Sequence, residues 1–254
     1  MGSNEEAMAW VYDEIERAVG LPEELGGIPL DKLGATGFGL AICAETASAY
    51  AGIDLKGARI AIQGFGSVGR AAARFLSEKG AVIVAASDTG GTIYNPEGLD
   101  YKELIKLKES RRSVAEYKDG SIKGLEEIFG LDVEILIPAA TPDVINRVNV
   151  DMIRARIVLQ GANIPATKEA EEILHRKGTL SVPDFIANAG GVIMAAMEYA
   201  KKSRQDAFDA IETRIKANTS LILEKSRNEK ILPRQAAVSI AKERVLKAMR
   251  YRDY

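Results

Sequence analysis

The stretch "QGFGSVGR", residues 63–70, decides the fold. It places glycine at 64, 66 and 69, directly after the apolar run ARIAIQ (58–63) and at the opening of the amphipathic segment SVGRAAARFLSEKG (67–80). Alone, a G-x-G-x-x-G spacing carries little, because the chain has 23 glycines and the pattern also arises in ordinary turns. A strand on one side and a helix on the other raise its weight. In that setting Gly64 permits the tight turn, Gly66 removes the side chain that would keep a diphosphate off the backbone, and Gly69 lets the helix approach the sheet. The loop Gly64, Phe65, Gly66, Ser67, Val68 and Gly69 is therefore a candidate phosphate cradle. Backbone N–H groups around Ser67 and Val68 and the positive end of the helix dipole would face the anion.

The next apolar run, AVIVAASD, ends at Asp88, nineteen residues after Gly69. An acid in that place accepts hydrogen bonds from the adenosine ribose hydroxyls of a bound dinucleotide. A 2′-phosphate about 4 Å from the carboxylate would meet a repulsion of roughly 1–4 kcal/mol, which favours NAD over NADP. Nothing basic in TGGTIYN (89–95) reverses that preference, although a residue from elsewhere could, and NADP stays open.

Five apolar runs of strand length, ARIAIQ, AVIVAAS, VEILIPA, RIVLQG and TLSVP, are separated by segments long enough for helices. Such alternation predicts a mainly parallel sheet covered on both faces. Residues 3–19 read as an amphipathic helix with Ser3 and Glu6 at capping-box spacing, stopped by Gly20 and Pro22. An alanine-rich helix is predicted over 38–51, and two long ones over 205–228 and 234–250, with Pro233 suited to a first helical turn. The expected fold is α/β, a Rossmann-type doubly wound sheet with flanking N- and C-terminal helices. Its expected organisation is a helix and connecting segment (1–34), a dinucleotide-binding domain (35–190) and C-terminal helices packed on it (191–254).

Composition removes several function classes. With 46% hydrophobic and 28% charged residues over 254 positions, the chain is that of a folded soluble protein. A formal charge of -2, with Lys and Arg interspersed among Asp and Glu, argues against nucleic acid as a partner. No stretch approaches the roughly 20 apolar residues that span a bilayer, and the amino terminus has no signal-peptide pattern. A cytoplasmic location and no membrane partner are expected. Cys43 is the sole cysteine and His175 the sole histidine, which excludes an intramolecular disulfide, a Cys/His zinc site and most triad chemistry. Cys43, within GLAICAETA, reads as a buried inert thiol; His175 reads as a cation at a helix end. No metal site is expected. No tyrosine is followed four residues later by lysine, so a short-chain type of tyrosine acid is absent as well.

Several stretches in order carry a resemblance: GSNEEAMAWVYDE (2–14), ATGFG (35–39), QGFGSVGR, SDTGGTIYNPEGLD (87–100), IPAATPDVI (137–145), GANIPAT (161–167), VPDFIANAGGV (182–192) and AAVSIAKERVLKAMRYR (236–252). Through them nearly the whole chain resembles the carboxyl-terminal, NAD-binding part of glutamate dehydrogenases, within the wider amino-acid dehydrogenase family. The resemblance implies that Thr36 hydrogen-bonds the nicotinamide carboxamide and that Ala139 and Ala140 line the nicotinamide ribose side. It implies that Asn163 holds that ribose or the ring amide. Asn188, with Ala189, Gly190 and Gly191, would form the turn where nicotinamide meets substrate. The implied ligands are NAD and a small amino acid or 2-oxo acid. The implied assembly is a homo-oligomer, or a complex with a partner chain that supplies a catalytic domain.

The sequence also departs from that family. Its catalytic lysine, in a Gly-Gly-x-Lys-Gly type of motif, and its substrate-gripping lysine belong to a preceding domain that this sequence does not contain. The glycine pairs at 26–27, 90–91 and 190–191 are followed by other residues. The family's catalytic Asp stands just before a stretch that here reads Met1, Gly2, Ser3, unless those residues are an added leader. No catalytic residue is therefore assigned, and the 254 residues are expected to bind NAD without turning over amino acids. Without the preceding domain, an apolar patch around Trp10 and the terminal helices is expected to be exposed. Ala195 stands where glutamate-specific members carry Ser, and Lys32 where Arg is usual. Glutamate is the first substrate choice, and a neutral amino acid such as leucine or valine the alternative. Two further readings stay open: a non-catalytic NAD-binding or regulatory subunit, and an unrelated NAD enzyme that uses Lys32 or Asp184.

Overall fold

The computed structural model describes residues 4–251 and gathers seven strands into one sheet. In chain order they are β1 (Arg59–Gln63), β2 (Val82–Asp88), β3 (Gly91–Tyr94), β4 (Ser121–Lys123), β5 (Ile135–Pro138), β6 (Ile157–Leu159) and β7 (Leu180–Val182). The helices are α1 (Glu5–Ile15), α2 (Leu30–Leu33), α3 (Ala35–Tyr50), α4 (Ser67–Glu78), α5 (Tyr101–Glu109), α6 (Lys168–Arg176), α7 (Asp184–Ala187), α8 (Gly190–Tyr199), α9 (Arg204–Glu229) and α10 (Pro233–Met249). Strand order across the sheet is β4-β3-β2-β1-β5-β6-β7. All pairs from β2 through β7 by way of β1 are parallel, while β3 pairs antiparallel with β2 and β4 with β3.

The five parallel strands are the five apolar runs, and their side chains alternate between two covered faces. Ile60, Ile62, Ile135, Ile137, Ile157 and Leu159 join one core with α3, α4, α8 and α9. The intervening Ala61, Leu136 and Val158 join a second core with Phe129, Ile173 and Leu174. Burial on both sides explains why these strands read as continuous apolar runs. The first core continues into Ile211, Ile215, Ile222 and Leu223 of α9 and Ala236 and Ala237 of α10, so the C-terminal helices share it.

Two strands go beyond the five expected. Asp88 pairs with Gly91 across the two residues Thr89 and Gly90, and a connection that short can only produce a hairpin. TGGTIYN is thus a turn plus β3, and β4 is a three-residue edge strand, too short to announce itself.

The amino-terminal helix is shorter than 3–19. Glu16 takes a left-handed conformation, φ 53°, and its N–H donates to the Tyr12 carbonyl, closing α1 before Gly20 is reached. Asn4 caps its start by accepting from the Ala7 N–H at 2.9 Å; Ser3, expected as the cap, lies outside the described residues. No residue of α1 is buried, and Trp10 and Ile15 are 64% and 62% exposed. Val245, Leu246 and Met249 on the last turns of α10 are exposed too. By contrast α3, α9 and α10 fall close to their expected bounds, with Pro233 at the start of α10. Among the described residues no helix is long and apolar enough to cross a membrane.

Candidate functional site

β1 lies between β2 and β5, so successive crossovers leave it in opposite directions and the loops after β1 and β5 part around a crevice. Ligands of open α/β sheets bind at such a point. The three loop glycines there have different reasons to be glycine. Gly64 stands at φ +94°, and a Cβ on it would fall 2.6 Å from the Ala140 Cβ. On Gly69 a Cβ would fall 2.1 Å from the Gly64 carbonyl oxygen. Both are required by the chain's own packing. Gly66 has φ -82°, open to any residue, and a Cβ there would meet nothing within 4 Å. The fold does not demand that glycine; a ligand pressed against the backbone would.

The rest of the loop divides similarly. Phe65 is 1% exposed and fills the core. The Gly64 and Phe65 N–H groups donate to the Ser87 carbonyl at 3.1 and 2.8 Å. Phe65 is thus a packing residue, and the groups left for an anion are those of Gly66, Ser67 and Val68. They open α4, which carries no side-chain cap, whereas α1, α5, α6 and α9 are capped by Asn4, Asp100, Thr167 and Ser203. Uncapped N–H groups at the positive end of a twelve-residue helix suit a phosphate. At the end of β1 the Gln63 Oε1 atom is buried without a hydrogen-bond partner. Open space over Gly66, free N–H groups and an orphaned acceptor all fit a dinucleotide in this crevice.

Thr36, in the first turn of α3, lines a narrow cleft with Gly34, Ser67 and Val68. A wider pocket beside it is lined by the cations Lys32, Arg70 and Arg74 together with Asp31 and Glu109, next to the 63–70 loop. Gly37 is what lets α3 come this near: a Cβ on it would sit 2.4 Å from the Ala72 nitrogen of α4.

Asp88 ends β2 where expected, but its carboxylate is already saturated. Oδ1 accepts from the Gly90 N–H at 2.9 Å and the Ser113 hydroxyl at 2.7 Å; Oδ2 accepts from the Lys108 ammonium at 2.6 Å and the Val114 N–H at 3.0 Å. These are about the four acceptor sites a carboxylate has. The side chain is 9% exposed. Burial by itself would raise its pKa, and the four donors more than cancel that, holding it below the ordinary carboxylate value. A ribose hydroxyl must displace one of them to be accepted by Asp88. The sequence reading missed Lys108 and Ser113 here. Both are more than nineteen residues further along, in a helix and a turn whose local patterns point to nothing but a solvated face.

At the other end of the crevice Ala139 and Ala140 follow β5, and Asn163 and Asn188 meet: the Asn188 Nδ2 donates to the Asn163 Oδ1 at 2.8 Å. The NAGG turn is pressed against α3. A Cβ on Gly190 would lie 2.1 Å from the Ala35 carbonyl oxygen, and one on Gly191 would lie 3.0 Å from the Thr36 Oγ1. This close packing brings Thr36, from one part of the sequence, beside the turn at 188–191. Ala189 is half-buried in that turn, and Ala195 is half-buried on α8.

Asp184 is committed to an ion pair with Arg234 at 2.8 Å. Cys43 is fully buried, and burial pushes its thiol up to about 12 despite a hydroxyl donated by Thr219. His175 is exposed in the last turn of α6. Among the described residues no cluster of His, Cys, Asp and Glu is placed to hold a metal ion.

Residues 26–253 match the family described as glutamate/leucine/phenylalanine/valine dehydrogenase. The glutamate dehydrogenase of Aeropyrum pernix is 40% identical, over 98% of this chain and 64% of that protein. The NADP-specific glutamate dehydrogenase of Saccharolobus shibatae is 36% identical over 99% and 63%. A hetero-hexameric glutamate dehydrogenase from Thermus thermophilus, solved with leucine bound, superposes with a TM-score of 0.85 at 30% identity, over 100% of this chain and 64% of that one. The chain thus spans slightly under two thirds of the length of the relatives it matches.

Proposed function

Because the chain belongs to the glutamate/leucine/phenylalanine/valine dehydrogenase family, we propose that it forms the dinucleotide site of an enzyme that oxidatively deaminates an L-amino acid, first of all glutamate, to the 2-oxo acid. The observation that carries the reading is Gly66, a glycine the fold leaves free and a diphosphate requires. In this reading the N–H groups of Gly66, Ser67 and Val68 bind the diphosphate, with Arg70 and Lys32 adding positive charge beside it. Thr36, Asn163 and Asn188 orient the nicotinamide carboxamide and its ribose, and Ala139 and Ala140 exclude water from that side. When bound, the nicotinamide supplies the hydride acceptor.

The dinucleotide is NAD, with NADP also accepted. The repulsion that a bare Asp88 would exert on a 2′-phosphate is offset by the Lys108 ammonium 2.6 Å from it.

The proton-moving lysine and aspartate implied by the resemblance have no counterpart that we can assign in these residues. The three glycine pairs, none of them followed by the Lys-Gly of a Gly-Gly-x-Lys-Gly motif, have packing duties. A Cβ on Gly27 would lie 1.8 Å from the Leu21 carbonyl oxygen, one on Gly90 2.3 Å from the Ser113 Oγ, and one on Gly190 2.1 Å from the Ala35 oxygen. In our reading a second domain or a partner chain supplies those groups, and the 254 residues alone bind without turnover. A second reading, deamination of a neutral amino acid, is favoured by Ala195 on α8, which offers no hydroxyl to a substrate side-chain carboxylate.

Calorimetry with NAD and NADH, together with an assay for glutamate-dependent NADH formation, tests the proposal. Binding without turnover is expected of the chain by itself. No heat of binding from folded protein overturns the site, and robust turnover overturns the division of labour.

A further inference from the structure

The second residue of the final helix reaches across the molecule to the nicotinamide end. Arg234 donates from Nε to both oxygens of Glu171, at 2.9 and 2.7 Å, and from Nη2 to the Gln160 Oε1 at 3.0 Å and the Asp184 Oδ1 at 2.8 Å. Glu171, Asp184 and Gln160 are all buried. Two buried carboxylates on one guanidinium leave an excess negative charge, and the other Asp184 oxygen spends it by accepting the Ile164 N–H at 2.9 Å.

Ile164 is the anomaly that gives this bond a purpose. It stands at φ +50°, a left-handed conformation that a β-branched side chain resists, and its side chain is 58% exposed, so packing returns little for that strain. Two backbone hydrogen bonds hold it: the one to Asp184, and one from the Asp143 N–H to the Ile164 carbonyl at 2.9 Å. The residue just before it is Asn163, which meets Asn188 across the crevice. If Ile164 relaxed to an ordinary φ, the chain direction at Asn163 would turn with it.

We propose that Arg234 is a positioning residue for the nicotinamide half of the cofactor: by fixing Asp184 it latches Ile164 in its strained conformation and so aims Asn163 at the ring. The inference rests on the reading that Asn163 and Asn188 face nicotinamide. It assigns the carboxyl-terminal helix a part in cofactor geometry beyond covering the core.

The test compares NAD with ADP-ribose, which has the same adenine and diphosphate groups but no nicotinamide. Arg234→Lys keeps the charge, but a single ammonium cannot bridge Glu171, Gln160 and Asp184 as the planar fork does. The expected result is that NAD binds roughly fivefold more weakly while ADP-ribose changes less than about twofold, the scale of coupling carried along packed polar networks. Adding Ile164→Gly, which adopts a positive φ without strain, is expected to restore NAD binding. Should Arg234→Lys fail to fold by circular dichroism, Asp184→Asn, isosteric and uncharged, carries the same expectation and the same rescue. Equal weakening of both ligands, no change in either, or no rescue by Ile164→Gly overturns the proposal. A parent chain that binds ADP-ribose but gains nothing from the nicotinamide moiety overturns the underlying reading of the asparagine pair instead.

Discussion

Replacing Gly66 with alanine separates what the fold needs from what the ligand needs. At φ -82° and ψ -156° the backbone is extended, and the added Cβ meets no atom within 4 Å. Folding stability should hold or rise by about 0.4–1 kcal/mol, because alanine reduces the freedom of the unfolded chain. In the proposed site the same methyl group would stand between a diphosphate and the N–H groups that open α4. Loss of one charge-assisted hydrogen bond, at about 1.5–3 kcal/mol, weakens NAD binding about 10- to 150-fold. Gly69→Ala should do the opposite. Its Cβ would lie 2.1 Å from the Gly64 carbonyl oxygen, so the loop and α4 must part, at roughly 1–3 kcal/mol of stability. Thermal melts and NADH fluorescence titrations of both variants read the two effects separately. A Gly66→Ala protein that binds NADH as tightly as the parent would show that the ligand does not approach the backbone there.

Three further outcomes follow from the site's surroundings. Lys108→Met removes the cation that offsets Asp88, so the NADP-to-NAD ratio of dissociation constants should rise about tenfold, toward the low end of the electrostatic range; parallel titrations that leave the ratio unchanged refute the compensation. Asp88 is held below the ordinary carboxylate value, so its ionised form contributes stability above the unfolded-state pKa, about 3.9, and that contribution is lost as pH falls through the lower folded value. Urea melts below about pH 4 should therefore lose stability less steeply in Asp88→Asn than in the parent, and equal slopes would remove the linkage. Cys43, with its thiol pushed up to about 12 and no surface exposure, should react with a thiol reagent at neutral pH only as fast as the chain opens; rapid labelling of the native protein would contradict its burial.

What could be read from the sequence follows the range over which each physical cause acts. The five parallel strands were legible because burial on both faces writes a local signature, a continuous apolar run, and the loop at 63–70 was legible because its strand and helix flank it directly. The hairpin through β3 writes no such signature: in TGGTIYN the four strand residues that follow the turn are too few to show a period. The amino-terminal helix was read too long for a related reason. Apolar residues continue at helical spacing through Val19, while the stop comes at Glu16 from a backbone conformation that no glycine announces.

The site was legible wherever a residue's neighbours in space are also neighbours in sequence, and illegible elsewhere. Gly64, Gly66 and Gly69 share a loop, yet only the structure distinguishes the two that serve packing from the one that packing leaves free, since Ala140 and the Gly64 oxygen must be in place before a clash exists. Asp88 was legible as the end of β2, and its condition was not. Donors that saturate it sit at Lys108 and Ser113, and a charge argument based on Asp88 alone leaves out the ammonium beside it. Arg234 is the extreme case, seventy-one positions beyond Asn163 in sequence and two hydrogen bonds and one peptide link from it in space. A polar residue at the start of a helix reads as solvent-facing; only the two buried carboxylates converging on it show why this position has a guanidinium, whose planar fork reaches them all at once.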